Sequence, residues 1–153
     1  MHTTLTPLKT IQTRSVCVFD YDWLYELHRE VYIGVITRQF GRWDEEEQWK
    51  FFQNVWLSHN ISVITIDKEP VGMFQLSQHD DHLWLAEIQI AAKCQNNGIG
   101  TQVIFDLILK ARKLGLPLRL RVLHENHRAH DLYQRLGFRH IADTEHHYVM
   151  ETY

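Results

Sequence analysis

Two glycines in the segment QNNGIGT, residues 95–101, mark the part of the sequence best suited to binding a phosphate. An apolar run at residues 83–90, typical of a strand, precedes the segment, and an amphipathic run at 103–114, typical of a helix, follows it. The first turn of a helix has unpaired N–H groups and a positive dipole end, and glycine lets an anion approach the backbone. The segment therefore predicts an anion site, which we interpret as a pyrophosphate site.

Two other nucleotide-binding motifs do not fit this segment. A dinucleotide-binding fingerprint requires a third glycine where Val103 stands. A P-loop requires Gly-Lys-Ser/Thr, which the segment lacks. Neither Asn96 nor Asn97 brings a positive charge, so Lys93 and Arg128 are the candidate cations for the phosphates.

The composition indicates one domain, residues 1–153, because 153 residues that are 44% hydrophobic can bury a complete core. The net charge of -3 argues against a nucleic-acid or anionic-membrane partner. No apolar run reaches the roughly 18–20 residues of a membrane span, and the N-terminus lacks the apolar core of a signal peptide. Cys17 and Cys94 make no disulfide framework. We therefore expect a cytoplasmic protein.

Hydrophobic periodicity and turn signals predict strands at residues 14–19, 61–67, 71–78, 83–92, 118–123, 138–142 and 147–152. Helices are expected after the caps Asp22, Asp44 and Asn126 and after the glycine segment, with Glu47 completing a capping box. Short turns make the second to fourth strands antiparallel, whereas a helical crossover makes the fourth and fifth parallel. The order predicts an α+β fold with a single mixed, mostly antiparallel sheet of about six to seven strands, flanked by about four helices.

Two motifs resemble those of the GNAT superfamily of N-acetyltransferases, which transfer acetyl from acetyl-CoA to an amine. One is the loop Q/R-x-x-G-x-G/A after the fourth strand, here with Gln95, Gly98 and Gly100. The other is N-x-x-A-x-x-L-Y-x-x-L-G-F, which runs from Asn126 to Phe138. The resemblance implies the acyl-CoA N-acyltransferase fold, acetyl-CoA as co-substrate, no metal, and direct attack by a primary amine in a ternary complex.

The resemblance also implies which residues bind coenzyme A. The pyrophosphate would meet the backbone of Gln95, Asn96, Asn97, Gly98, Ile99, Gly100 and Thr101. The pantetheine arm would pair with Ile88, Gln89 and Ile90 on the fourth strand, where a bulge splays the fourth and fifth strands around the thioester. Asn126 and Tyr133 would contact the cofactor, and Tyr133 would act as acid for the departing thiolate.

Acetyl transfer also needs a base, because an ammonium has no lone pair with which to attack. Glu87 is our candidate, since burial in its apolar run would raise the pKa of the carboxyl into a useful range. Alternation puts Glu87 on one face with Gln89, and Ile88 and Ile90 on the other. Two other interpretations stay open: a solvated carboxylate at Glu87, and a structural core tyrosine at Tyr133.

The resemblance implies that the first two helices cover the acceptor pocket, which the N-terminal and C-terminal segments build. Tyr32, Arg38 and Trp43 near the connection of the two helices are the candidate substrate-binding residues, together with Tyr148. The chain has eleven histidines, but His124-Glu125-Asn126-His127 is one residue short of the H-E-x-x-H zinc spacing, so we expect no metal site.

Three functions remain open for the whole chain. An active N-acetyltransferase of a small-molecule or peptide amine is favoured by the retained Tyr133, Asn126 and both loop glycines. A catalytically weak acyl-CoA-binding regulatory module is the alternative from another class, and a protein acetyltransferase is the third. The expected partners are acetyl-CoA and an unidentified amine acceptor, and pairing of the C-terminal strands between two copies would give a homodimer.

Overall fold

The computed structural model describes residues 10–153, and seven strands in this part of the chain form one mixed sheet. The strands are β1 (Ile11–Ser15), β2 (Ile61–Ile66), β3 (Glu69–Gln78), β4 (Leu83–Ile90), β5 (Leu118–Leu123), β6 (Arg139–Asp143) and β7 (His147–Thr152). The helices are α1 (Tyr21–Phe40), α2 (Glu45–Leu57), α3 (Ile99–Lys113) and α4 (His127–Arg135), with short 3-10 turns at Val18–Asp20 and Ala92–Cys94. The predicted α+β class and the mixed sheet are confirmed.

Strand order in the sheet is β1-β2-β3-β4-β5-β7-β6, and β4 and β5 are parallel, as predicted. Their pairing is short, because it runs from Leu83 opposite Leu118 only to Leu85 opposite Leu120. The other five neighbouring pairs are antiparallel. The two central strands therefore lose contact halfway along their length, and a gap opens in the middle of the sheet.

A β-bulge at Ala86 lies where this gap begins. Gln75 of β3 pairs with Glu87, but the next residue, Leu76, pairs with Leu85, so Ala86 is an extra residue in β4. An extra residue reverses the alternation of side chains along a strand. Leu85 before the bulge and Ile88 after it both pack against the core under α3, and Glu87 faces the other side.

The two faces of the sheet carry separate cores. Residues of α3 and α4, among them Ile104 and Tyr133, pack on one face. Leu27 of α1 and Phe52 of α2 pack on the other face. Met73 and Phe74 are neighbours on β3 and belong to different clusters, as alternating side chains must. Each helix pair thus covers one face and leaves the gap between β4 and β5 accessible from both.

The start of the described chain differs from the prediction. The first strand is Ile11–Ser15, whereas the sequence suggested residues 14–19. Asp20 fixes the turn that follows the strand, because its carboxylate accepts hydrogen bonds from two guanidinium nitrogens of Arg14 and from the Cys17 N–H. The chain turns there and α1 begins at Tyr21, so Asp22 lies inside the helix and is not its cap. Predictions for residues 1–9 lie outside the described residues.

Helix α2 begins where the sequence placed it. The Asp44 carboxylate accepts hydrogen bonds from the Glu46 and Glu47 N–H groups at 3.0 and 3.1 Å, which confirms Asp44 as the cap. At α4, the Asn126 side chain likewise accepts from the Ala129 N–H at 3.3 Å. Each cap satisfies donors that the first turn of a helix leaves unpaired.

The Arg14–Asp20 pair predicts how stability depends on pH. The hydrogen bond from Arg14 lowers the pKa of the Asp20 carboxyl from 3.8 to about 2. A lowered carboxyl pKa stabilises the fold above pH 4, and this stabilisation is lost as pH falls through 2. Asp20→Asn should therefore reduce the free energy of unfolding by about 2 kcal/mol at pH 7 and by much less near pH 2.5.

Urea denaturation of both proteins at pH 7 and at pH 2.5 measures this difference. Asp22→Asn is the matched control, because Asp22 is exposed and should change stability by only about 0.5 kcal/mol. A loss from Asp20→Asn that is equally large at both pH values would contradict the ion-pair account.

Candidate active site

A cavity of about 950 Å³ lies at the gap between β4 and β5. Helices α1 and α2 border it on one face of the sheet, and the N-terminus of α3 and the side of α4 border it on the other. The residues that line it include most of those predicted for the site: Tyr32, Arg38, Glu87, Ile88, Ile90, Gln95, Asn96, Gly98, Ile99, Gly100, Thr101, Asn126 and Tyr133. The gap therefore brings together residues that are up to about 100 positions apart in the chain.

The N-terminus of α3 is built to receive an anion. Gly98 precedes the helix at φ +76°, a left-handed conformation that glycine adopts easily, and no side chain caps the helix. The first turn has no acidic residue, whereas α2 carries three glutamates and an aspartate cap at the same place. Ile99, Gly100 and Thr101 border the cavity, so their N–H groups are available to a phosphate there. The chemistry of this helix end fits the pyrophosphate of coenzyme A.

Arg128 ties the glycine loop to α4. Its guanidinium donates one hydrogen bond to Gln95 Oε1 at 3.0 Å and another to Asn96 Oδ1. Gln95 Nε2 in turn donates to the Ile90 carbonyl at 2.9 Å, which fastens the loop to the end of β4. Of the two candidate cations, Arg128 lines the cavity and Lys93 does not. Asn97 also lies outside the lining.

The outer half of β4 offers an unpaired strand edge. Beyond Leu85 the backbone of β4 has no partner in β5. Ile88 and Ile90 line the cavity there, whereas Gln89 is turned toward α1 and its side chain donates to Glu87 at 3.3 Å. An amide-containing chain can form β-like hydrogen bonds with such an edge, which fits the pantetheine arm of coenzyme A.

Glu87 is a buried carboxyl with a single strong donor. Its side chain is 8% exposed, and Tyr32 donates a hydrogen bond to Oε2 at 2.6 Å. Burial raises the pKa of Glu87, while the bonds from Tyr32 and Gln89 partly oppose the shift. The expected placement with Gln89 on one face is confirmed, and the solvated alternative is wrong because the carboxyl is enclosed.

Tyr133 reaches the same cavity from the opposite face of the sheet. Its side chain is 7% exposed, and its ring lies 5.6 Å from the ring of Phe138. The hydroxyl has no hydrogen-bond partner among residues 10–153. Burial and the nearby Glu87 carboxylate raise its pKa well above the ordinary value, so the hydroxyl keeps its proton and is free to donate.

Two of the four residues predicted to bind the acceptor lie elsewhere. Trp43 packs against His28 with ring centroids 5.7 Å apart and is outside the cavity lining. Tyr148 of β7 points to the core under α4, where its ring lies 4.6 Å from that of His124. Because side chains alternate along β7, the cavity is lined by His147 instead.

Sequence reasoning did not single out several polar and aromatic residues that line the cavity, among them His28, Gln48, Phe51 and Arg121. His147, a possible substrate contact by its position beside Tyr148, also lines it. The alternation in LRLRVL, residues 118–123, does place Arg121 on the polar face of β5, but alternation cannot show that this face borders a cavity. Burial lowers the pKa of His28, and burial followed by the charge of Arg121 lowers that of His147 to about 4. Both imidazoles are therefore neutral at pH 7.

The described part of the chain shows neither a group of metal-binding side chains nor a membrane-spanning helix. No group of three or more His, Cys, Asp or Glu side chains among residues 10–153 could hold a metal ion. Within the same residues, no helix is both long enough and apolar enough to cross a membrane.

Comparison with known proteins agrees with this geometry. The model of the acetyltransferase (GNAT) family matches residues 21–138. No curated protein matches the chain. Among solved structures, PaiA N-acetyltransferase from Thermoplasma acidophilum in complex with coenzyme A has a TM-score of 0.74 at 18% identity, over 94% of this chain and 98% of that one.

Two further solved structures have the same fold. An acetyltransferase from Thermus thermophilus has a TM-score of 0.73 at 19% identity, covering 94% of this chain and 96% of its own. The ribosomal-protein-S18-alanine N-acetyltransferase from Escherichia coli has a TM-score of 0.67 at 19% identity, covering 93% and 92%.

The loop geometry predicts a role for Arg128 in binding coenzyme A. Arg128→Ala removes the positive charge and both hydrogen bonds that hold the loop, so the affinity for coenzyme A should fall about 5- to 30-fold. Isothermal titration calorimetry measures the change. Lys110→Ala is the control, because this cation lies in the last turn of α3, away from the loop, and its removal should leave the affinity unchanged. Equal affinities for Arg128→Ala and the wild type would exclude the role.

Proposed function

The chain belongs to the GNAT family of acetyltransferases, and from this premise we propose that it passes the acetyl group of acetyl-CoA directly to a primary amine held beside Glu87. The observation that carries the proposal is the placement of two buried groups, Glu87 and Tyr133, on opposite sides of one gap in the sheet. The anion-binding end of α3 borders the same cavity. The donor and the acceptor would thus meet in the gap, in a ternary complex.

Acetyl-CoA would enter from the α3 and α4 side. Its pyrophosphate would lie on the N–H groups of residues 99–101, beside Arg128. The pantetheine amides would pair with the free edge of β4 at Ile88 and Ile90. This placement brings the thioester to the bulge at Ala86, where Glu87 and Tyr133 converge. Asn126 lines the cavity on the same side, although its side chain also caps α4.

Glu87 would accept the proton that the amine must lose before it attacks. A carboxyl with an ordinary pKa is too weak a base for an ammonium, and the raised pKa of Glu87 narrows the mismatch. The hydrogen bond from Tyr32 holds the carboxyl in place and keeps its second oxygen free for the amine or for a bridging water. An ammonium loses two protons in forming the amide. Glu87 would take the first and pass it to solvent, and the second, lost from the attacking nitrogen as the tetrahedral intermediate collapses, is the one that the thiol finally carries.

Tyr133 would assist the leaving sulfur. Its hydroxyl keeps its proton because its pKa is raised, so it donates a hydrogen bond to the sulfur as negative charge develops there. A thiol has a pKa of about 8.5, which is below that of this tyrosine. Tyr133 would therefore stabilise the leaving thiolate mainly through a hydrogen bond and only to a smaller extent by giving up its proton. Glu87 would therefore act on the attacking amine and Tyr133 on the leaving sulfur, from opposite faces of the sheet.

The Tyr32–Glu87 hydrogen bond predicts a shift in the pH profile. A base works only when deprotonated, so kcat/KM should fall at pH values below the pKa of Glu87. Because the bond from Tyr32 lowers that pKa, Tyr32→Phe should move the acid limb of the profile to higher pH. Glu87→Gln should reduce kcat by about 10²-fold or more near pH 7.

Release of free CoA thiol across pH 5–9, with an accepted amine from a broad panel, measures both effects. Tyr25→Phe is the control for the tyrosine variant, because Tyr25 lies on the same helix and bonds to Glu45 at 2.8 Å in an exposed position. Retention of wild-type kcat by Glu87→Gln would exclude Glu87 as the base.

Removal of the Tyr133 hydroxyl predicts a loss in kcat. Tyr133→Phe should lower kcat by about 10²-fold while leaving the KM for acetyl-CoA nearly unchanged, because the lost hydrogen bond forms only as the sulfur departs. Tyr148→Phe serves as control, since Tyr148 packs in the same core under α4 but does not line the cavity. If Tyr133→Phe transferred acetyl at the wild-type rate throughout the pH range, with product release shown not to limit the rate, the acid role would be wrong.

A further inference from the structure

Arg121 is a cavity-lining cation with no partner in the described part of the chain. It stands on β5 on the face that looks toward α1, because Leu120 and Val122 on either side of it belong to the core under α3 and α4. Its side chain is exposed where it borders the cavity, and no hydrogen bond or ion pair engages it among residues 10–153. An arginine in a site wall without a counter-ion is suited to bind an anion.

The other arginine on this face of β5, Arg119, does form an ion pair. Arg119 lies two residues earlier on the same face of β5 and binds the Glu151 carboxylate at 2.7 Å. At the next position of that face, β7 presents Val149 opposite Arg121, so no carboxylate is offered to it. The strand β7 therefore supplies no carboxylate opposite Arg121.

No carboxylate of the cavity forms an ion pair or hydrogen bond with Arg121 in the described part of the chain, although the charge of Arg121 lowers the pKa of Glu87 through space, against the larger rise caused by burial. The lining contains two acidic residues, Glu30 and Glu87. Glu30 accepts a hydrogen bond from the Ala92 N–H at 3.2 Å, and Glu87 is bound by Tyr32. His147, which also lines this end, is neutral at pH 7. Arg38 adds a second positive charge, and one of its nitrogens donates a hydrogen bond to the Glu125 carbonyl at 3.3 Å. The lining on this side of the sheet thus contains two arginines that form no ion pair with a carboxylate in the described part of the chain.

The proposed placement of acetyl-CoA does not require Arg121. The phosphates of the donor lie at the loop with Arg128, on the α3 and α4 side of the sheet. Arg121 faces the α1 side together with Tyr32, Glu87 and His147. The free charge therefore belongs to the half of the cavity in which the acceptor would stand.

We propose that the acceptor is an amine that also carries an anionic group, a carboxylate or a phosphate, and that Arg121 binds this group while the amine meets Glu87. The inference rests on the proposed function, because it takes the α1 side of the gap as the acceptor side. The fork of a guanidinium matches the two oxygens of a carboxylate or a phosphate. Arg38 also lines the cavity. Arg121 thereby selects zwitterionic amines over neutral amines and polyamines.

The test uses pairs of amines that differ only in the anionic group. One arm compares free amino acids with their amides, and the other compares phosphoethanolamine with ethanolamine. The measured quantity is kcat/KM from release of free CoA thiol. In at least one arm the anionic member should be favoured by about 10-fold or more, and Arg121→Gln should abolish that advantage, a loss of about 10- to 100-fold. The arm that responds identifies the anionic group.

A matched variant and the neutral substrates separate specificity from a general effect. The charge of Arg121 lowers the pKa of Glu87, which burial raises, so the comparison is made on the alkaline plateau of the pH profile. There Arg121→Gln should leave kcat/KM for the neutral member of each pair within about 3-fold of the wild type, and Arg121→Lys should restore part of the preference. Arg119→Gln, which removes an arginine of the same strand outside the cavity lining, should keep the preference intact. A preference for neutral or cationic amines, or an equal loss on both members of each pair, would overturn the proposal.

Direct binding keeps this result distinct from a failure of the proposed function. If no amine is acetylated by the wild type, the proposed function fails, and isothermal titration of the same pairs into protein saturated with coenzyme A then decides the inference. Binding of the anionic member that disappears in Arg121→Gln supports an anion site at Arg121. Absence of such binding, or binding that Arg121→Gln leaves unchanged, overturns it.

Discussion

The site depends on the loss of pairing between β4 and β5 beyond Leu85 and Leu120. The bulge at Ala86 occurs at that point, and the two features act together. The missing strand contacts leave a free backbone edge and an opening through the sheet. The reversed alternation turns Glu87 toward α1, while Ile88 and Ile90 stay with the core under α3. A regular strand would have placed the carboxyl among leucines, where it would meet neither an amine nor Tyr32.

Helix ends are used in two ways in this fold. At α2 and α4, the side chains of Asp44 and Asn126 accept hydrogen bonds from N–H groups of the first turn, so fewer of these donors are left for a ligand. At α3 the cap is Gly98, no side chain completes it, and no acidic residue competes for the dipole. The N–H groups of that turn therefore stay unpaired at the edge of the cavity, where they can bind a phosphate.

Charge in the cavity is divided by the sheet. On the side of α3 and α4, Arg128 is bound to the loop that would hold the donor. On the side of α1, Arg121 and Arg38 face a carboxyl whose own hydrogen bonds come from Tyr32 and Gln89. Both groups that would take part in proton transfer are buried, and the charge of Arg121 reaches one of them, because it lowers the pKa of Glu87, which burial raises. Arg121 and the base are therefore electrostatically coupled.

Local patterns in the sequence determined the elements of this protein: the uncapped glycine loop, the caps Asp44 and Asn126, and the apolar stripe that carries Tyr133. Such features depend on neighbouring residues, and the family motif extends them to the fold. Only the tertiary structure decided which side chains share the cavity. It added Arg121 and His28, and it excluded Trp43 and Tyr148. The reason is physical: alternation tells which residues share a strand face, but the neighbouring strands and helices decide whether that face borders water, core or a ligand.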